Sequence, residues 1–127
     1  MTEYLDDLND AFKCAWDQRP PDGIYHAKMI KAQVGKSKEG NRQVRMDLKF
    51  TNPLTSRAYF VQKYHSLELE WIRYLAWDLD RISIPEFELG RLPEVLRKII
   101  GATIEIDFRQ SGDWYDIDFI RLVSWAE

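Results

Sequence analysis

The sequence predicts a mainly β domain, a β-barrel with helices: five short strands, a helix between the third and fourth, and an amphipathic helix ahead of them all. Three observations predict it. Five separate runs from Gly23 onward alternate apolar and polar residues with period two. Clusters of Gly, Pro, Asn and Asp bound those runs, as turns require. A stripe at helical spacing, Leu67, Trp71, Leu75, Leu79 and Ile82, interrupts them once. At 127 residues the chain has the size of one domain, and 45% hydrophobic residues with five Trp, six Tyr and six Phe exclude a disordered one.

Taken in order, Tyr4 to Trp16 places Leu5, Leu8, Phe12 and Trp16 at steps of three and four, with Glu3, Asp6 and Asp7 near the positive end of the helix dipole. This predicts an amphipathic helix that caps the core or carries a partner contact, and it sets the division into residues 1–19 and a barrel domain over 20–127. Cys14 on that helix reads as a small buried apolar residue. Arg19 to Gly23, with Pro20 and Pro21, ends the helix. In the first strand, Gly23 to Val34, the apolar set shifts from Tyr25, Ala27 and Met29 to Ile30, Ala32 and Val34, and such a phase slip predicts a bulge.

After the loop Gly35 to Asn41, the second strand turns Val44, Met46, Leu48 and Phe50 inward and Gln43, Arg45, Asp47 and Lys49 outward. The third runs from Ala58 to His65. Ser66 is the expected N-cap of the inserted helix, with Glu68 and Glu70 in its first turns and Ile72 and Ala76 widening its stripe. A shorter helix from Leu92 to Ile100 has Pro93 in its first turn and ends at Gly101. The fourth strand turns Ile104, Ile106 and Phe108 inward, and the fifth, Trp114 to Val123, does so with Tyr115, Ile117 and Phe119. Tyr25, Tyr59, Trp71, Phe108 and Phe119 are expected in the core.

Five short strands with a helix between the third and fourth is the order of the OB-fold, a five-stranded Greek-key barrel whose end that helix plugs; an SH3-like barrel or an α+β sandwich shares similar strands. Charge is segregated along the chain. Residues 23–64 hold nine Lys/Arg against two acids, a local excess of seven in a chain of net charge −3. A local block is what a polyanion feels, because charges are screened beyond roughly 8 Å at physiological salt.

Pro21-Asp22-Gly23-Ile24-Tyr25, the Ser37-Lys38-Glu39-Gly40-Asn41 turn and the alternation from Val44 to Phe50 resemble a family of phage and prophage proteins long filed as a domain of unknown function. The resemblance covers roughly residues 20 to 122. It implies an OB-fold single-stranded DNA-binding protein of phage or prophage replication or recombination, at work in the cytoplasm of a bacterial host. The chain departs from cellular single-strand binders at Ser124-Trp125-Ala126-Glu127, where those carry a long acidic tail.

Binding single strands without reading sequence requires cations along the backbone path and aromatic faces for bases. An OB-fold ligand crosses the outer face of strands 2 and 3. The candidate binding residues are therefore Lys28, Lys31, Arg45 and Lys49 on strands 1 and 2, Lys36, Lys38, Asn41 and Arg42 at the hairpin, and Phe60, Gln62 and Tyr64 on strand 3. Phe60, Gln62 and Tyr64 are chosen over the opposite set Tyr59, Val61 and Lys63 for their mix of aromatic and amide groups. Trp114, out of phase with Tyr115, is a further stacking candidate.

The same Lys/Arg run also suits a solvated face protecting an edge strand. A protein-interaction or oligomerisation module, docking a recombination or replication partner or another copy, is the rival reading, and RNA is an alternative ligand. No catalysis, metal or cofactor is expected. His26 and His65 lack ligand spacing, Gly35-Lys36-Ser37 lacks the phosphate-loop glycine, and the pairs Glu86/Glu88 and Asp116/Asp118 read as solvated charge. No run of about 18 apolar residues exists and the first residues are acidic, so no membrane or signal segment is expected.

Overall fold

The computed structural model describes residues 20–126. The expected helix from Tyr4 to Trp16, with Cys14, lies outside them. The described elements are β1 (Gly23–Lys36), β2 (Arg42–Thr51), β3 (Ala58–Ser66), α1 (Ile72–Arg81), a 3-10 turn (Leu89–Arg91), α2 (Leu92–Ile99), β4 (Thr103–Ser111) and β5 (Trp114–Ser124). The strands make one open antiparallel sheet of five in the order β3-β2-β1-β4-β5.

Alternation sets the inner face. Val44, Met46, Leu48 and Phe50 of β2 are at most 2% exposed, and Ile104, Ile106 and Phe108 of β4 are fully buried. Each such side chain contributes about 1.5–3 kcal/mol when removed from water. A slip of one residue would turn every one of them outward, so the register is fixed by the pattern itself. At one end of the core Phe50 meets Tyr25, Tyr59 and Phe108 with ring centroids 4.3–5.8 Å apart. Tyr25 stays half-buried because its hydroxyl reaches out to donate to the Pro21 carbonyl, 2.7 Å away.

The bulge falls where the phase slip placed it: the β1–β2 register shifts between Met29 and Lys31. Ala32 resumes the buried set, but Ile30 and Val34 do not join it, being 43% and 41% exposed. The reason is topological. Pairing with β4 ends at Lys28, so the remainder of β1 is flanked by β2 alone. At the junction the Met29 carbonyl accepts from the Gly101 N–H at 2.7 Å, and Met29 N–H donates to Ala102 at 2.8 Å. Gly101 turns the end of α2 into this pairing at φ +88°, a conformation that favours glycine.

The β1–β2 loop explains its own sequence. Ser37 Oγ accepts from the Asn41 N–H at 3.1 Å, the Ser37 carbonyl accepts from Gly40 at 2.9 Å, and Gly40 adopts φ +84°. Ser, Gly and Asn are thus the residues this turn chemistry selects.

Helix α1 begins five residues later than the sequence suggests, with Trp71 rather than Ser66 at its N-cap. Ser66 ends β3 and its hydroxyl accepts from the Glu68 N–H, while residues 67–71 form turns before Ile72. The buried positions of α1 are Leu75, Asp78 and Leu79, with Ile82 just beyond. Trp71, expected in this stripe and in the core, is 53% exposed, and Ala76 is exposed as well. Trp71 precedes the first helical residue and stacks on Tyr74 instead of the sheet. Helix α2 follows its expected course, with proline in the first turn and Leu92, Leu96 and Ile99 buried against β1.

The sheet curls until its two edges come within side-chain reach. No backbone ladder joins β3 to β5 among the described residues. Instead the Gln62 N–H donates to the Tyr115 hydroxyl at 2.9 Å, and Lys63 Nζ donates to the Ile117 carbonyl. Helix α1 lies over this seam, packed on both strands. Its Asp78, 4% exposed, accepts from Lys63 at 2.8 Å and from His65 at 2.6 Å through the same oxygen.

Candidate nucleic-acid interface

Antiparallel register places the outward residues of β1, β2 and β3 in rows. The first row is Gln33, Arg45 and Tyr64; the second Lys31, Asp47 and Gln62; the third Lys28, Lys49 and Phe60. The Phe60, Gln62 and Tyr64 set of β3 therefore faces outward: Phe60 is 70% and Tyr64 49% exposed, while Tyr59 and Val61 are buried. Lys63 points to the seam.

Two rows carry the same device. The Arg45 guanidinium lies 6.0 Å from the Tyr64 ring centroid, and Lys49 Nζ lies 5.6 Å from that of Phe60. A cation over one face of a ring is held there by the ring's quadrupole. Lys28 stands directly opposite Lys49, and like charges so opposed destabilise a ladder. A bound anion relieves that repulsion. Asp47 tempers the face: it accepts from Arg45 at 2.8 Å, and its hydrogen bond, then its charge, raise the Arg45 pKa further above its ordinary range. Lys28, Lys31, Arg45 and Lys49 against Asp47 leave three net positive charges on the three rows.

Lys36, Lys38, Asn41 and Arg42 are exposed around the hairpin, with Lys36 directly opposite Arg42. The structure thus brings Lys28, Lys31, Arg45, Lys49, Phe60, Gln62 and Tyr64 onto one face. The hairpin group forms its extension rather than its floor.

Trp114 stands apart. It is 81% exposed on the β4–β5 hairpin, across a groove of about 510 Å³ from Gln62 and Tyr64. Asp113, Asp116 and Asp118 line the same groove. The outer surface of β4 and β5 is acidic too, with Asp107 opposite Asp118. Glu105 accepts from His26 at 3.0 Å and from Arg121 at 3.3 Å, and these partners, His26 first, hold its carboxyl below the usual range. The outward charge is thus divided, positive over β1–β3 and negative over β4–β5.

Sequence reasoning missed two features. One is an exposed aromatic series at the start of α1, Trp71 at its N-cap followed by Tyr74 and Trp77, with adjacent centroids 5.8 and 5.2 Å apart. Its spacing of three residues was the available signal. The other is the Lys63–Asp78–His65 cluster, whose members lie on different elements and share no local pattern. Among the described residues, no group of three or more His, Cys, Asp and Glu is placed to hold a metal, and no helix is long and apolar enough to cross a membrane. No protein-family model matches the chain, and no curated protein was found to be similar to it.

Proposed function

We propose that this chain is a single-stranded DNA-binding protein of little sequence preference, with no catalytic activity of its own. The observation that carries the reading is the repeated pairing of a cation with an exposed ring on adjacent strands, Arg45 with Tyr64 and Lys49 with Phe60. Phosphates run over β1 and β2, where Lys28, Lys31, Arg45 and Lys49 attract them. Bases lie over β3, on Phe60 and Tyr64, each stack contributing about 1–3 kcal/mol. The acidic rim at Asp113, Asp116 and Asp118 repels phosphates, so it orients the strand with its bases toward the groove and Trp114. Duplex DNA hides its base faces and gains only the charge term.

The strand order, the bridged β3–β5 seam and the helix placed across it support an OB-type barrel. The setting, phage or prophage replication or recombination in a bacterial cytoplasm, rests on the sequence resemblance of the turn and strand motifs.

The test is charge reversal at Arg45→Glu together with Lys49→Glu. Single strands lose about 0.7 in salt slope per phosphate contact removed, so the slope flattens by about 1.4 and affinity falls. Unchanged affinity removes this face from strand binding and points to protein docking instead.

A further inference from the structure

We propose that the bound strand continues past Tyr64 onto helix α1, where Trp71 and Tyr74 stack further bases; this rests on the reading of the β1–β3 face as the single-strand site. Lone exposed aromatics are ordinary, but a contiguous exposed patch marks a site of interaction. Trp71, Tyr74 and Trp77 are 53%, 39% and 52% exposed and touch in series, Trp71 stacked on Tyr74 with 30° between their planes. Tyr64 joins the series directly: with Ser66, Trp71 and Tyr74 it lines a groove of about 310 Å³.

The cations follow a parallel course. Ser66, at the end of β3, pairs with Gln43, next to Arg42 and the basic hairpin. The Leu67 N–H, the first residue of the connection to α1, donates to the Arg42 carbonyl at 3.0 Å. One track of rings runs from Phe60 through Tyr64 to Trp71 and Tyr74. Beside it on β2 stand the cations Lys49 and Arg45, and beyond them Arg42 and Lys36, a pair at the hairpin end in the opposite phase, exposed where the strands leave the core. A single strand has that two-sided chemistry, uncharged flat bases on one side and phosphates on the other.

Glu68 and Glu70, which precede Trp71 in the chain, disfavour phosphates on the helix side. Arg73, 5.3 Å from the Tyr74 centroid, is the cation there. Bases on the helix and phosphates on the hairpin satisfy both. A protein partner covering the same rings would have no need of the adjoining basic track.

The experiment compares wild type with a Trp71→Ala/Tyr74→Ala double variant by fluorescence anisotropy, using labelled oligothymidines of about 4 and about 16 nucleotides, the limits of the usual site size. Both side chains are exposed, and far-ultraviolet circular dichroism confirms folding. The double variant is expected to lose at least about fivefold in affinity per ring for the longer oligomer, to keep its affinity for the shorter one, and to keep its salt slope. Trp71→Phe is expected to restore most of the loss at that position. Equal affinity of wild type and double variant for the longer oligomer overturns the extension and leaves the β1–β3 site standing. Wild type that binds neither oligomer overturns the parent reading as well.

Discussion

Asp78→Ala removes the one carboxylate on which Lys63 and His65 converge. The side chains of Asp78, Lys63 and His65 are only 5%, 15% and 8% exposed, so the substitution leaves a cation in the interior without its counter-charge. Breaking a buried pair from one side costs about 3–5 kcal/mol. Lys63 retains the Ile117 carbonyl and the Phe119 ring, whose centroid is 4.9 Å away, which places the loss at the lower end, about 3 kcal/mol. For a domain of this size that is a fall in Tm of about 10 °C or more. Urea unfolding followed by circular dichroism measures it, and a loss under about 1 kcal/mol refutes the reasoning.

The pH dependence follows with a definite sign. Burial pushes the Asp78 carboxyl upward, but the His65 hydrogen bond and the Lys63 charge together outweigh it and hold the group below its ordinary value of 3.8. A depressed folded pKa means stability present above the unfolded value and lost as pH falls through the folded one. Wild type is therefore expected to lose this contribution only in strong acid, and Asp78→Ala to show a flatter acid limb.

Other substitutions separate binding from folding. Phe60→Ala and Tyr64→Ala are each expected to weaken single-strand affinity by about 1–3 kcal/mol, measured by titration, with Tm changed least for Phe60, which is 70% exposed, and more for the half-exposed Tyr64. Tyr115→Phe removes the hydroxyl that accepts from Gln62 and is expected to cost about 1–3 kcal/mol in urea unfolding by orphaning that N–H. Gly101→Ala places a methyl 2.7 Å from the Ala126 Cβ at a φ of +88°; a loss of at least about 1–2 kcal/mol is expected by the same assay.

The strands were legible because period two depends only on which face is buried. Val44 to Phe50 and Ile104 to Phe108 announce themselves locally, whereas on β3 the alternation leaves two sets, and the aromatic and amide chemistry of Phe60, Gln62 and Tyr64, not the phase, singles out the outward one. The helix was less legible. Trp71 sits four residues before Leu75 and looks like core, yet turns through Glu68 delay the helix, and tertiary packing rather than spacing decides which side meets the sheet. Asp78 could not be read at all as an inward residue, since its partners come from β3. The bridge from Gln62 to Tyr115 spans 53 positions, and Gln62 and Tyr64 meet Trp114 and its neighbouring acids across one groove only once β5 is folded against β3. Charge segregation was visible in sequence, but its division between the two halves of one surface required the strand order.

The most direct measurement is a salt-stepped titration with a fluorescent oligothymidine of about 30 nucleotides, longer than the usual site, beside a duplex of equal length. The four cations of the β1–β3 face give a slope of about −3, rising to about −5 with Lys36, Lys38 and Arg42 engaged. Preference for the single strand, a slope in that range and quenching of Trp emission is the predicted result. Absence of binding at low salt, or equal affinity for the duplex, contradicts the account.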